Sequence, residues 1–267
     1  MELLDDYLIA RIASYLPSPL NAPLRAVSAR FRAIIAQPEK TTPMRLMKRG
    51  SQIGCVDICD LARKRGATDF NRMLRGAARG GHADLCILAR EWGATNFNWE
   101  MLPEAARHGH IDLCILARSW GAKCYDGMLM EAALEGHREI CKLAHKWGVT
   151  HYDWMLIGAA LGGHREICKL AHEWGATNFN EMLANAAYAG YRELCILARE
   201  WGATDYNEML VEATRENNRD LCILARKWGA TDFSRMLWNA TDVENYELCN
   251  LAREWDAMQN GDPTRTL

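Results

Sequence analysis

Eight cysteines recur along the chain at a nearly constant interval. They are Cys59, Cys86, Cys114, Cys141, Cys168, Cys195, Cys222 and Cys249, 27 residues apart except for one gap of 28. Four follow a histidine by four residues: His82–Cys86, His110–Cys114, His137–Cys141 and His164–Cys168. On a helix, residues four apart share a face, and thiolate with imidazole is a zinc-binding combination. A closed zinc site takes four ligands, however, and each interval offers two. Tyr191, Asn218 and Asn245 then stand where the histidine should be. A disulfide ladder fails on geometry. Equivalent positions in packed helices lie roughly 8–10 Å apart, whereas a disulfide needs Cα atoms within ~7 Å. The reading left is a small buried hydrophobe, with no metal and no cofactor. Catalysis is not expected either, because it needs one asymmetric cluster and these residues recur in near-equal copies.

The elements that position these side chains follow from the same period. A glycine stands seven residues after each cysteine from Gly66 to Gly229, and Asp256 takes that place in the last interval. A tryptophan precedes it (92, 120, 147, 174, 201, 228 and 255), replaced by Arg65 in the first. Met-Leu pairs recur from Met73-Leu74 to Met236-Leu237. Self-similarity at this period means a stack, because one repeat is too small to bury its own apolar face. Each repeat reads as two helices. Asn or Asp caps the first, and Ala pairs such as Ala77-Ala78 and Ala159-Ala160 admit a close neighbour. A Gly-His step then breaks the helix. The second helix buries a face such as Leu194, Cys195, Leu197 and Ala198, and a glycine ends it. The extra residue of the 28-residue gap falls in "ATNFNWEM", at Trp99.

The segment "RMLRGAARGGHADLCILAREWGA" (72–94) resembles the ankyrin repeat. Leu74, Ala77, Ala78, Gly81, His82, Leu85, Cys86, Leu88, Ala89, Gly93 and Ala94 fall on that family's fixed positions. The Thr-Pro opening is absent, and six residues are missing between the helix-ending glycine and the next Ala pair. The resemblance therefore implies an all-α, ankyrin-like helical-repeat solenoid without β-hairpin fingers. It covers residues 43–256 in about eight repeats, the first and last degenerate, followed by a tail at 257–267.

Residues 1–40 have no place in the repeat. Ile9, Ile12, Tyr15 and Leu16 form one apolar stripe; Leu24, Val27, Phe31 and Ile34 form another after "PSPLNAP". "LRAVSARFRAII" after "YLP" resembles an F-box, although "MELLDD" stands where Leu-Pro opens that motif. The resemblance implies that Leu8, Ile9, Ile12, Leu16, Leu20, Leu24, Val27 and Phe31 contact a Skp1-type adaptor of a cullin ubiquitin ligase. The repeats would then hold an unknown target protein. This module order is found in large DNA viruses of eukaryotic cells, which implies host-virus interaction in the host cytoplasm. The alternative is a structural scaffold, for example within a virus particle, with the N-terminal helices acting only as a cap.

Recognition belongs where repeats differ, since shared residues are used in folding. On that ground Met130, Leu134, Trp154, Ile157, Leu161 and Tyr188 are the candidate partner-binding strip. The competing reading is that some of them fill the seam between repeats. The net charge of −2 gives no sign of nucleic-acid binding. No apolar run is long enough for a membrane span. Acids near the start, where a secretory signal carries bases, and the many cysteines point to an intracellular, reducing setting.

Overall fold

A computed structural model describes residues 42–261. The chain divides into two compact units, Met1–Lys123 and Cys124–Leu267. The described residues form sixteen α-helices and one π-helical segment, with no strand among them. The F-box-like segment, with Leu8, Ile9, Ile12, Leu16, Leu20, Leu24, Val27 and Phe31, lies outside the described residues.

The N-terminal unit contains three helix pairs: Pro43–Gln52 with Val56–Lys64, Phe70–Gly80 with Ala83–Glu91, and Phe97–Arg107 with Ile111–Ser119. The C-terminal unit contains five: Tyr125–Leu134 with Arg138–Lys146, Asp153–Gly162 with Arg165–Glu173, Phe179–Tyr188 with Arg192–Glu200, Tyr206–Arg215 with Arg219–Trp228, and Phe233–Asp242 with Tyr246–Asn260. The eight pairs match the eight repeats. Five of the eight first helices start where capping chemistry predicts; those after Thr42, Cys124 and Tyr152 have no side-chain cap. The side chains of Asp69, Asn96, Asn178, Asp205 and Asp232 each accept from the backbone N–H three residues on.

Within a pair, the Met-Leu and Ala-Ala steps of the first helix and the Leu, Cys and Ala of the second are buried. Met73, Leu74, Ala77, Ala78, Cys86 and Ala89 are all fully enclosed. The short connection is braced from the preceding repeat. Asn71 Oδ1 accepts from the backbone N–H of Thr95 and of Asn96, both at 2.9 Å. Asp153, Asn180 and Asn207 do the same for the next connection in the C-terminal unit. One side chain thus satisfies two amides that would otherwise be unpaired, in a segment with no hairpin to do so.

Two departures have local causes. The extra residue at Trp99 is absorbed by a π-helical turn, Phe97–Met101, so Asn98 still reaches the backbone N–H of Lys123. Trp99 itself is thrust into solvent. The last helix runs to Asn260, past residue 256, where the repeat array was placed to end. Asp256 occupies the usual glycine site, so the chain has no residue suited to φ > 0 there. The left-handed cap falls instead on Gly261, at φ 68°.

Close approach of first helices depends on small residues. A Cβ on Gly158 would lie 2.5 Å from Met130 O, a backbone atom that cannot swing aside. Alanine favours a helix over glycine by roughly 0.5–1 kcal/mol, but overpacking here costs about 1–3 kcal/mol. Gly158→Ala is therefore expected to lower stability by about 1–2 kcal/mol. Urea denaturation checks this; a variant as stable as wild type, or more so, would show that the two helices have room to separate.

Candidate functional site

The residues with chemical potential are built into the contacts between repeats. All ten cysteines are free thiols, and eight are buried, six of them with no exposed surface at all in the middle repeats Cys86 to Cys222. Burial pushes the thiols of Cys59, Cys86, Cys114, Cys141, Cys168 and Cys195 up to about 12. Cys222 rises only to about 11, because the Thr214 hydroxyl lies 3.5 Å from its sulfur and favours the thiolate. Thiols held in the protonated form are poor nucleophiles and poor metal ligands.

The histidines do not turn to the cysteine one turn along. Nε2 of His82, His110 and His164 lies 3.1, 3.2 and 3.0 Å from the carbonyl oxygens of Gln52, Arg79 and Leu134, at the end of the preceding first helix. Each imidazole closes an otherwise open helix C-terminus. Asn245 replaces the ring with an amide that donates to Asn217 Oδ1. Among the described residues no cluster of three or more His, Cys, Asp or Glu could hold a metal ion.

The repeated tryptophans do not stack on one another. Each sits against the aromatic residue that opens its own repeat, as in Phe70–Trp92 (5.6 Å) and Phe179–Trp201 (5.7 Å). The other ring face meets a cation from the preceding repeat. Arg63 lies 4.7 Å over Trp92, Arg90 4.8 Å over Trp120, Arg199 4.8 Å over Trp228 and Arg226 4.6 Å over Trp255. In two repeats a histidine takes the cation's place. His145 stacks on Trp174 at 4.1 Å and His172 on Trp201 at 4.4 Å, nearly parallel.

The outward face of the first helices differs from repeat to repeat. In the C-terminal unit, Trp154 is 50% exposed and Tyr188 46%. Met130, Leu134, Ile157 and Leu161 are half-buried. The predicted strip thus consists of two exposed aromatic rings and four partly covered aliphatic side chains. Helical spacing puts Trp154, Ile157 and Leu161 on one face, at i, i+3 and i+7. Trp238, at the position equivalent to Ile157, is 66% exposed; the sequence singles it out as variable, but the proposed strip omitted it. Val211, at the same position, is fully buried, so that position fills the seam in one repeat and faces solvent in another.

The sequence signal most easily missed concerns the other face. Following the cysteine, Ile87, Ile115 and Ile223 are exposed. The equivalent residues are Lys142 and Lys169 in the two repeats that carry Met130, Leu134, Trp154, Ile157 and Leu161, and Asn250 in the repeat that carries Trp238. Lys142 and Lys169 pair with Glu139 and Glu166 at 2.7 and 2.9 Å. The exchange is confined to these three repeats: the repeat with Tyr188 keeps Ile196 after its cysteine, and exposed Trp99 and Ile115 share a repeat.

No helix of the described residues is long and apolar enough to cross a membrane. No family model matches the chain, and no curated protein matches it. Among solved structures, the ankyrin repeat domain of human ASB11 aligns over 59% of this chain and 83% of that one, at 22% sequence identity and a TM-score of 0.44.

The thiols make stability sensitive to alkali. Their ordinary value is 9.0, and burial raises it in the folded chain. Below pH 9 both states keep the proton and nothing is lost. Above it the unfolded chain releases protons that the folded chain retains, so stability falls until the folded thiols ionise near 12. Each thiol contributes up to about 1.4 kcal/mol per pH unit in that window. Urea midpoints at pH 8 and pH 10 are expected to drop steeply, and Cys168→Val should reduce the drop by one thiol's share. An unchanged slope in the variant would mean that Cys168 is not shielded from water.

Proposed function

We propose that this chain is a non-enzymatic protein-binding module whose repeats hold a target on the first-helix face of the C-terminal unit. The observation that carries the reading is the division of labour between positions. Residues common to all repeats are enclosed or hydrogen-bonded to the neighbouring repeat, while Trp154 and Tyr188 stand exposed at positions that change from repeat to repeat. Large aromatic rings on a polar-rimmed surface are the side chains that dominate binding energy at protein interfaces. Met130, Leu134, Ile157 and Leu161 supply the partly covered apolar floor around them.

The N-terminal segment extends the proposal. Its resemblance to an F-box supports docking to a Skp1-type adaptor through Leu8, Ile9, Ile12, Leu16, Leu20, Leu24, Val27 and Phe31. The chain then acts as the substrate receptor of a cullin-type ubiquitin ligase, in the cytoplasm of a host cell if its origin is viral. The support is the "YLP" and "LRAVSARFRAII" text followed by repeats.

Two measurements test the two halves separately. Co-expressed with a Skp1-type adaptor, the chain is expected to elute with it in size-exclusion chromatography, and Leu24→Ser with Phe31→Ser should end co-elution. Independent elution of the wild-type pair would remove the ligase reading and leave the binding module. For the repeats, Leu161→Ser with Tyr188→Ser should weaken a captured target by about 2 kcal/mol or more, with an unchanged unfolding midpoint. Full binding by that folded variant would place the interface elsewhere.

A further inference from the structure

We infer that the partner of the C-terminal unit is a basic amphipathic segment: apolar side chains along one side, lysine or arginine along the flanks. This deepens the docking reading above and rests on it. Charge complementarity around the exposed strip favours this occupant.

The first-helix segments of the C-terminal unit, residues 124–135, 152–163, 178–190, 205–217 and 232–244, carry twelve acidic side chains and two basic ones. Its second-helix segments, 136–151, 164–177, 191–204, 218–231 and 245–261, carry nine acidic and eleven basic. The excess of acid over base is confined to the row that presents Trp154, Leu161 and Tyr188. Nor is acid a general property of first helices. In the N-terminal unit, segments 42–54, 69–81 and 96–109 hold seven basic and three acidic residues. Arg72, Arg75 and Arg79 there stand at i, i+3 and i+7 of one helix.

Folding accounts for only part of this excess. Asp205 and Asp232 are helix caps, Asp153 braces the next connection, and Asp126 faces His151 at 3.6 Å. Both basic residues of the row are engaged: Arg235 with Glu208 at 2.8 Å and Arg215 with Glu212 at 2.6 Å. After these pairings the row remains acidic, with exposed Glu135, Glu181 and Glu216 around the strip. Like charges spread over one face repel within a Debye length of ~8 Å at physiological salt. A surface that keeps them next to exposed indole and phenol rings attracts a cationic apolar ligand and rejects an anionic one. The rings themselves take cations on their faces.

The test uses the full chain and three synthetic peptide probes, read by fluorescence anisotropy. The first probe is an amphipathic helix with Leu and Trp on one side and Lys on the other. The second has Glu for every Lys. The third is the Lys peptide shuffled so that its apolar residues no longer share a side. The Lys helix is expected to bind at least about tenfold more tightly than either of the others. Trp154→Ser with Leu161→Ser should weaken it about tenfold, with folding checked by thermal unfolding. Glu135→Lys with Glu181→Lys, two exposed positions, should narrow the gap between the Lys and Glu helices. Equal binding of the Lys and Glu helices, both lost in the Trp154/Leu161 variant, overturns the charge inference and leaves the docking face intact. Equal binding of the Lys helix and its shuffled form, unaffected by that variant, overturns the docking face itself. Failure of all three probes to bind overturns the inference as well.

Discussion

Each repeat is too small to enclose its own apolar face, and every fixed feature of this chain answers that constraint. A pair of helices about ten residues long presents Met, Leu, Ala and Cys that water would otherwise reach. Only another pair can cover them. The neighbour must come close, which explains the Ala-Ala steps and the glycine at 158 against the Met130 carbonyl. It must also come in register, and register is set by polar contacts that work at one offset only. The imidazole of His82 finds the Gln52 carbonyl, and the Asn71 amide oxygen finds two backbone N–H groups of the next connection. Apolar burial supplies most of the stabilisation; these hydrogen bonds, at roughly 1 kcal/mol each, select among the ways of burying it.

The same constraint disarms the residues that look reactive. Thiols are enclosed and shifted toward the protonated form. Imidazoles cap helix ends in the preceding repeat or lie flat on tryptophan. The tryptophans are sandwiched between a cation from one repeat and an aromatic ring from their own. A side chain that holds neighbours together eight times over is not available for chemistry at one of them. Function is left to the positions the fold does not use, and in the C-terminal unit those positions are apolar at the centre and acidic around it.

Much of this was legible in the sequence, and the limits of legibility are physical. Helix starts were readable because an Asn or Asp cap has one local job, done by Asp69, Asn96, Asn178, Asp205 and Asp232. The buried face of the second helix was readable from spacing, as Leu194, Cys195, Leu197 and Ala198 show. The role of Asn71, which closes "ATDFN", was not, because its partners are amides 24 and 25 residues away and nothing local marks it. The tryptophan's partner was not readable for a related reason. An indole can stack on another indole or on a guanidinium, and only the offset between repeats decides. The arginine or histidine four residues after each cysteine was visible, but its ring partner belongs to the next repeat. The overrun of the last helix to Asn260 was implicit in Asp256, where the missing glycine is the whole cause.

In three repeats an apolar side chain on the first helix goes with a polar one just after the cysteine of the second. Exposed apolar surface carries an aggregation cost wherever it occurs. The two repeats with Met130, Leu134, Trp154, Ile157 and Leu161 exchange the exposed isoleucine for Lys142 and Lys169, and the repeat with Trp238 exchanges it for Asn250. The exchange reaches further in the lysine repeats. There the ring-stacking arginine also becomes His145 and His172, which lie flat on Trp174 and Trp201. Two positions on one helix have shifted together, and the result is a repeat whose exposed apolar side chains all lie on the first-helix face. The coupling stops there: the repeat with Tyr188 keeps Ile196 after its cysteine, and exposed Trp99 and Ile115 share a repeat, so Lys142 and Lys169 remove apolar exposure from the second helix of two neighbouring repeats and not from the array as a whole.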